Sequence, residues 1–215
     1  VLIGHGWDAP STDALLSVGA LSSNAIADGQ VWRLLSAAFV HIDGLHLVTN
    51  VTVLMALGAW LEPTLGHRRF LVIFVVGVIL GGLAAFTANP TTLVAGSSGG
   101  IVALMAGSVI VLGRRGLGLG GMILLITACL TVVTMGAGHM GIATSAHVGG
   151  LLGGITTGIL FRGLGRRSPQ RCGLTRAAFV CCSFLLYYAL TAATIHATMP
   201  PIAPTAAGAW AQTTP

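Results

Sequence analysis

The stretch FLVIFVVGVILGGLAAFTA, residues 70–88, contains no charged side chain and is flanked by Arg68-Arg69 on one side and Asn89-Pro90 on the other. A helix crosses the hydrocarbon of a bilayer with about 20 mostly apolar residues. The segment therefore reads as a membrane span that begins at an arginine pair and ends in a turn. Working outward, further candidate spans fall at 46–61, 98–112, 117–135, 142–161 and 177–197. Across the 215 residues 54% are hydrophobic and 7% are charged, and the mean hydropathy is +0.91. That composition excludes an ordinary soluble domain. The expected fold is all-α, a polytopic membrane helical bundle with six spans in this chain. Val1-Leu2-Ile3 followed directly by polar loop reads as the tail of an earlier helix, so seven spans are expected in the parent protein.

Arginines near span ends collect on the cytoplasmic side. Nine of the ten basic residues lie at Arg68 and Arg69, at Arg114 and Arg115, and at Arg162, Arg166, Arg167, Arg171 and Arg176, which are alternate loops. The loops around Asn89-Pro90 and across 136–141 carry no charge and face the other side. Four of the five acids (Asp8, Asp13, Asp28 and Asp43) lie in the N-terminal segment, external by alternation. The expected organisation is an external N-terminal segment with an interfacial loop over 1–45 and core spans over 46–162. An arginine-rich cytoplasmic loop over 163–176, a further span over 177–198 and an external tail over 199–215 complete it. The pI near 9.7 then reflects cytoplasmic anchoring, with the bilayer as partner and no nucleic acid. Arginine without lysine, alongside abundant alanine and glycine, points to a GC-rich bacterial genome and hence a bacterial plasma membrane.

Cys129, Cys181 and Cys182 fall within candidate spans and Cys172 in the arginine-rich loop, so no disulfide framework or zinc ribbon is indicated. Within 4–40, Ala14-Leu15-Leu16, Val31 to Leu35 and Phe39 form short amphipathic pieces of the kind that lie in a membrane interface. The span at 98–112 is about 15 residues, roughly 22 Å, too short to cross hydrocarbon alone. The chain is therefore expected to descend into the outer leaflet as irregular backbone over 93–97, which requires a covered or water-filled pocket. Gly150, Gly154 and Gly158, with Gly149 and Gly153 beside them, give one span a ridge of small residues for close helix approach. Gly99-Gly100 offers a smooth face to receive it.

Placed by depth, the polar residues converge. His46 and Asn50 share one helix face at i and i+4 in the outer part of the first span. Ser98 starts its span in the outer leaflet, and His147 lies about six residues, roughly 9 Å, below the external surface. A single intramembrane serine is more often bonded to its own helix, and a single Asn is ordinary interhelical glue. Four such side chains from three spans at one level point instead to chemistry. Histidine has the pKa to take a serine proton, and Ser98 opens a helix whose first N–H groups are free to meet an oxyanion. The span-associated acid, Glu62, lies about 16 residues from His46 toward the cytoplasmic end, so a Ser-His dyad is expected rather than a triad. His139, His67 and His196 lie at other levels.

These residues resemble the rhomboid family of intramembrane serine proteases. The resemblance rests on Trp32-Arg33, on His41, His46 and Asn50 in the pattern HxxxxHxxxN, and on Leu61-Glu62 with Gly66 and Arg68-Arg69-Phe70. It continues through Gly96-Ser97-Ser98-Gly99 as GxSG and Ala146-His147 with Gly150 and Gly154. It implies Ser98 as nucleophile, His147 as general base, and Asn50, His46 and the Ser98 backbone N–H at the oxyanion. It further implies structural roles near the site for His41, Trp32, Arg33, Gly96, Gly99, Gly150 and Gly154, and a helix-end role for Glu62. Val102 stands where many members carry an aromatic ring that packs on the catalytic histidine.

The implied activity is a serine endopeptidase acting on transmembrane protein substrates near the external face, with no cofactor and no metal. The alternative is a non-catalytic relative that binds membrane helices, although such proteins characteristically lose the serine or histidine. A transporter would carry polar residues at several depths, and here the inner leaflet is nearly bare. Metalloprotease chemistry lacks HExxH and aspartyl chemistry lacks intramembrane aspartates. His41, His46 and His147 remain as a conceivable metal trio.

Overall fold

The computed structural model describes residues 11–88, 93–135 and 144–163. Three short helices, α1 (Thr12–Ser17), α2 (Ser23–Ala27) and α3 (Arg33–Ser36), lead through a 3-10 turn at Ala37–Phe39 into α4 (Gly44–Leu65). Then follow α5 (His67–Ala88), α6 (Ser98–Met135) and α7 (Thr144–Gly163). Among the described residues α4, α5 and the Ser98–Val133 part of α6 are long and apolar enough to cross a membrane. The chain is thus an all-helical membrane bundle. The expected span at 177–197, the arginine-rich loop, the tail, the loops at 89–92 and 136–143, Cys172, Cys181, Cys182, His139 and His196 lie outside the described residues.

The long helices begin and end for local reasons. Asp43 caps α4, its carboxylate accepting from the His46 N–H at 2.6 Å, which satisfies one of the free donors of the first turn. Instead of stopping at 61, α4 runs past Pro63 to Leu65, where Gly66 at φ +83 closes it and donates to Glu62 O at 2.7 Å. No spacer follows, since α5 starts at His67 and takes Arg68 and Arg69 into its first turn. The expected spans at 98–112 and 117–135 are two helices within α6, parted by non-helical dihedrals at Gly113 and Gly118 around the exposed Arg114 and Arg115, and Cys129 of the second packs on Val102 of the first.

Glycine spacing sets how the helices meet. A Cβ on Gly150 would fall against the Gly99 backbone, one on Gly154 against the Ala103 backbone, and one on Gly158 against Gly107. The ridge on α7 thus lies along small residues of α6 at the same four-residue spacing. Gly149 and Gly153 face α5 instead, against Gly81 and Gly77. Only half of the expected receiving face is used by α7: Gly99 meets it, while Gly100 packs on Phe74 and Val78 of α5. Below this contact Leu57, Trp60, Leu61, Ile73, Leu104, Met105 and Leu125 form a core excluded from the surface.

The segment ahead of α4 is a folded cap. Arg33 donates from Nη1 to the carbonyls of Leu16 (2.7 Å) and Ala20 (2.8 Å) and from Nε to Gln30 (2.7 Å), and its guanidinium lies 4.6 Å from the Trp32 ring centre. Leu15, Ala20 and Val40 bury together with Leu93 and Ala95. Leu21 and Val94 exchange both backbone hydrogen bonds at 2.9 Å as an isolated antiparallel bridge. The irregular backbone expected over 93–97 is therefore paired by the cap rather than left open, as a membrane setting requires. Val31, Trp32, Leu35 and Phe39 stay exposed on the cap.

Candidate active site

The candidate site occupies the first turns of α4, α6 and α7. Gly96, at φ +119, donates its N–H to Ala37 O at 2.9 Å and delivers the chain into α6. A side chain there is barred twice over, because the dihedral is left-handed and a Cβ would lie 2.6 Å from His46 Cε1. Ser97 occupies the cap position, its carbonyl accepting from Ile101 N at 3.1 Å. Ser98 is the first helical residue, so its N–H has no partner within the helix and sits at the positive end of the dipole.

His147, in the first turn of α7, brings Nε2 to 2.9 Å from Ser98 Oγ. The histidine is buried while the serine is half-buried. Val102, in place of an aromatic ring, is fully buried and leaves this approach intact. His147 Nδ1 is buried without a hydrogen-bond partner.

Asn50 is brought to the same level but is already engaged. Its Nδ2 donates to His46 O at 2.8 Å, and its Oδ1 accepts from Ser97 Oγ at 3.1 Å. One Nδ2 hydrogen remains free. The His46 ring rests against Gly96 and meets the His41 ring edge-on, with centroids 5.2 Å apart and planes at 68°. Both His41 ring nitrogens and His46 Nδ1 are buried without partners. Burial holds the His41 pKa below its ordinary value. Among the described residues no three His, Cys, Asp or Glu are grouped so that they could hold an ion, the trio His41, His46 and His147 included.

The expected supporting residues fall in two places. Trp32 and Arg33 organise the cap, and Gly99, Gly150 and Gly154 set the α6–α7 approach. Glu62 lies at the opposite end of α4 in contact with His67 Nδ1. From the sequence Ser97 is only the residue that cannot be the GxSG serine, because Gly99 follows Ser98; its bond to Asn50 is not foreseen. The variable position of GxSG carries a hydroxyl, and that was the available signal, but only the fold shows that it points to Asn50.

Fold and site together define an integral membrane helical protein with Ser98, His147, Asn50 and His46 gathered at one end of the bundle. The chain belongs to the rhomboid family, whose Rhomboid domain model matches residues 28–164. It is 34% identical over 150 residues to "Rhomboid protease GluP" of Bacillus subtilis (strain 168), covering 67% of this chain and 29% of that protein. It is 32% identical over 160 residues to "Rhomboid-like protease 5" of Toxoplasma gondii, covering 71% and 19%. Over 77 residues it is 42% identical to "Rhomboid-related protein 3" of Homo sapiens, covering 36% and 19%. The chain thus spans less than a third of the length of these relatives.

Proposed function

We propose that the chain is an intramembrane serine endopeptidase that hydrolyses peptide bonds in or near transmembrane segments of membrane proteins. Ser98 is its nucleophile and His147 its general base. The observation that carries this reading is the 2.9 Å approach of His147 Nε2 to Ser98 Oγ across two helices. For Nε2 to accept the serine proton, the imidazole carries its own proton on Nδ1. Ser98 Oγ then attacks the scissile carbonyl carbon as His147 takes the hydroxyl proton. Collapse of the tetrahedral intermediate passes that proton to the leaving amine, and water releases the acyl group with the same base. The developing oxyanion is met by the Ser98 N–H at the start of α6, by the free Nδ2 hydrogen of Asn50 and by His46.

The half-exposure of Ser98 supports access of water to the nucleophile. The printed names of the Bacillus and Toxoplasma relatives support proteolysis. In this reading the chain has six spans, sits in a bacterial plasma membrane and opens its site to the external face, an orientation that the arginine distribution supports. The test is cleavage of a generic transmembrane substrate in detergent. Ser98→Ala and His147→Ala should each abolish turnover without adding, since the two act as one unit, and a fluorophosphonate should label Ser98. Full activity in Ser98→Ala, or labelling at Ser97, sinks the assignment.

A further inference from the structure

Ser97 donates its hydroxyl to Asn50 Oδ1 at 3.1 Å across 47 residues of sequence. Both side chains are buried, Ser97 at 6% and Asn50 at 5% exposure. A serine in the cap position ordinarily turns its oxygen back onto its own helix. Here the hydroxyl reaches across to α4 instead. We infer that Ser97 is a positioning residue that sets the Asn50 amide as an oxyanion donor, an inference that rests on the protease reading above.

The geometry of the amide carries the inference. The His46 carbonyl can only accept, so Nδ2 must face it at 2.8 Å and Oδ1 must face Ser97. The amide is thereby pinned at both ends, leaving the second Nδ2 hydrogen as its one uncommitted donor. Because Ser97 is joined to Ser98 by a single peptide bond, the group that pins the amide moves with the nucleophile. An O–H bond into Oδ1 also draws density from nitrogen and strengthens the remaining N–H as a donor. Donors fixed before the reaction stabilise the transition state without reorganising. Loss of the Ser97 hydroxyl should therefore act on kcat and leave KM in place.

The experiment is a double-mutant cycle in the full chain with a transmembrane substrate, with turnover normalised to fluorophosphonate-reactive protein. Ser97→Ala should lower kcat about fivefold, the worth of one buried neutral hydrogen bond. KM should hold, and affinity for a peptide aldehyde, which forms a tetrahedral adduct on Ser98, should fall in parallel with kcat. In an Asn50→Ala background the same substitution should have no further effect on kcat. An equal fivefold loss in both backgrounds, or a loss confined to KM or thermal stability, overturns the inference. The protease reading fails separately: there the parent chain does not cleave, or Ser98→Ala still does.

Discussion

Gly150→Ala adds one methyl group where α7 crosses α6, and the consequence can be worked from distances. The new Cβ would stand 2.9 Å from both Cα and C of Gly99, with the Gly99 carbonyl oxygen nearer still. Non-bonded carbons rest at about 3.5–4.0 Å, so α7 must back away by about 0.6–1.1 Å. The obstructing atoms are backbone, and no flexible side chain can yield in their place. His147 stands less than one turn from Gly150, so the shift passes directly to its bond with Ser98, now 2.9 Å. That separation opens to roughly 3.5–4.0 Å, beyond hydrogen-bond range. Misplacing a reacting group by about 1 Å costs on the order of 10²-fold in rate, while overpacking costs about 1–3 kcal/mol of stability. The assay is substrate cleavage normalised to folded protein, paired with thermal unfolding in the same detergent. Gly158→Ala is the internal comparison: its Cβ would meet Ile110 Cβ at 3.0 Å and Gly107 Cα at 3.2 Å. The intrusion there is smaller and lies about three turns from the histidine. Wild-type turnover in Gly150→Ala refutes the reasoning, as does an equal loss in Gly158→Ala.

Two further outcomes concern the cap. Arg33→Lys cannot reproduce the guanidinium's bonds to Leu16 O, Ala20 O and Gln30 at once; loss of about 2 kcal/mol should lower Tm by about 4–8 °C, and an unchanged Tm would show the cap to be held otherwise. Because burial holds His41 below its ordinary pKa, the unfolded chain binds more protons at that residue than the folded one between its folded pKa and about 6.5. Stability from this residue is complete above about pH 6.5 and lost as pH falls through the folded value. Tm should drop on going from about pH 7.5 to about pH 5, and His41→Gln should flatten that slope; an identical slope in the variant rules the residue out as its source.

The bundle was legible where a single physical requirement dominates a long segment. Residues 70–88 could be nothing but a membrane helix, and the four-residue glycine period announced a close helix contact. Boundaries were less legible because, outside the hydrocarbon, a helix no longer needs apolar side chains. Nothing in composition stops α5 from starting at His67 and including two arginines, or α4 from passing Pro63. The glycine pair at 99 and 100 shows a different limit. Adjacent residues on a helix point about 100° apart, so both cannot face α7, and which one does depends on where α5 stands.

At the candidate site, residue type and depth were readable, but pairing was not. That Ser98, His147, His46 and Asn50 reach one level follows from span direction and a count of residues. That Asn50 spends one donor on its own helix and its acceptor on Ser97 is a rotamer-level fact, and so is the contact of the His46 ring with Gly96. The folded cap was also only partly legible, since short amphipathic pieces do not announce which backbone they will pair. Its pairing matters because the two halves of the site have separate supports. Ser98 is placed by a strand-like entry held through Leu21–Val94 and Gly96–Ala37. His147 is placed by the glycine ridge of α7 on α6. A bond that forms only when both supports are in register makes each of them a condition for the Ser98–His147 contact, although neither contains a group that touches it. The residues of the candidate site are therefore few and local, while the residues that decide whether they meet are spread from Leu21 to Gly158.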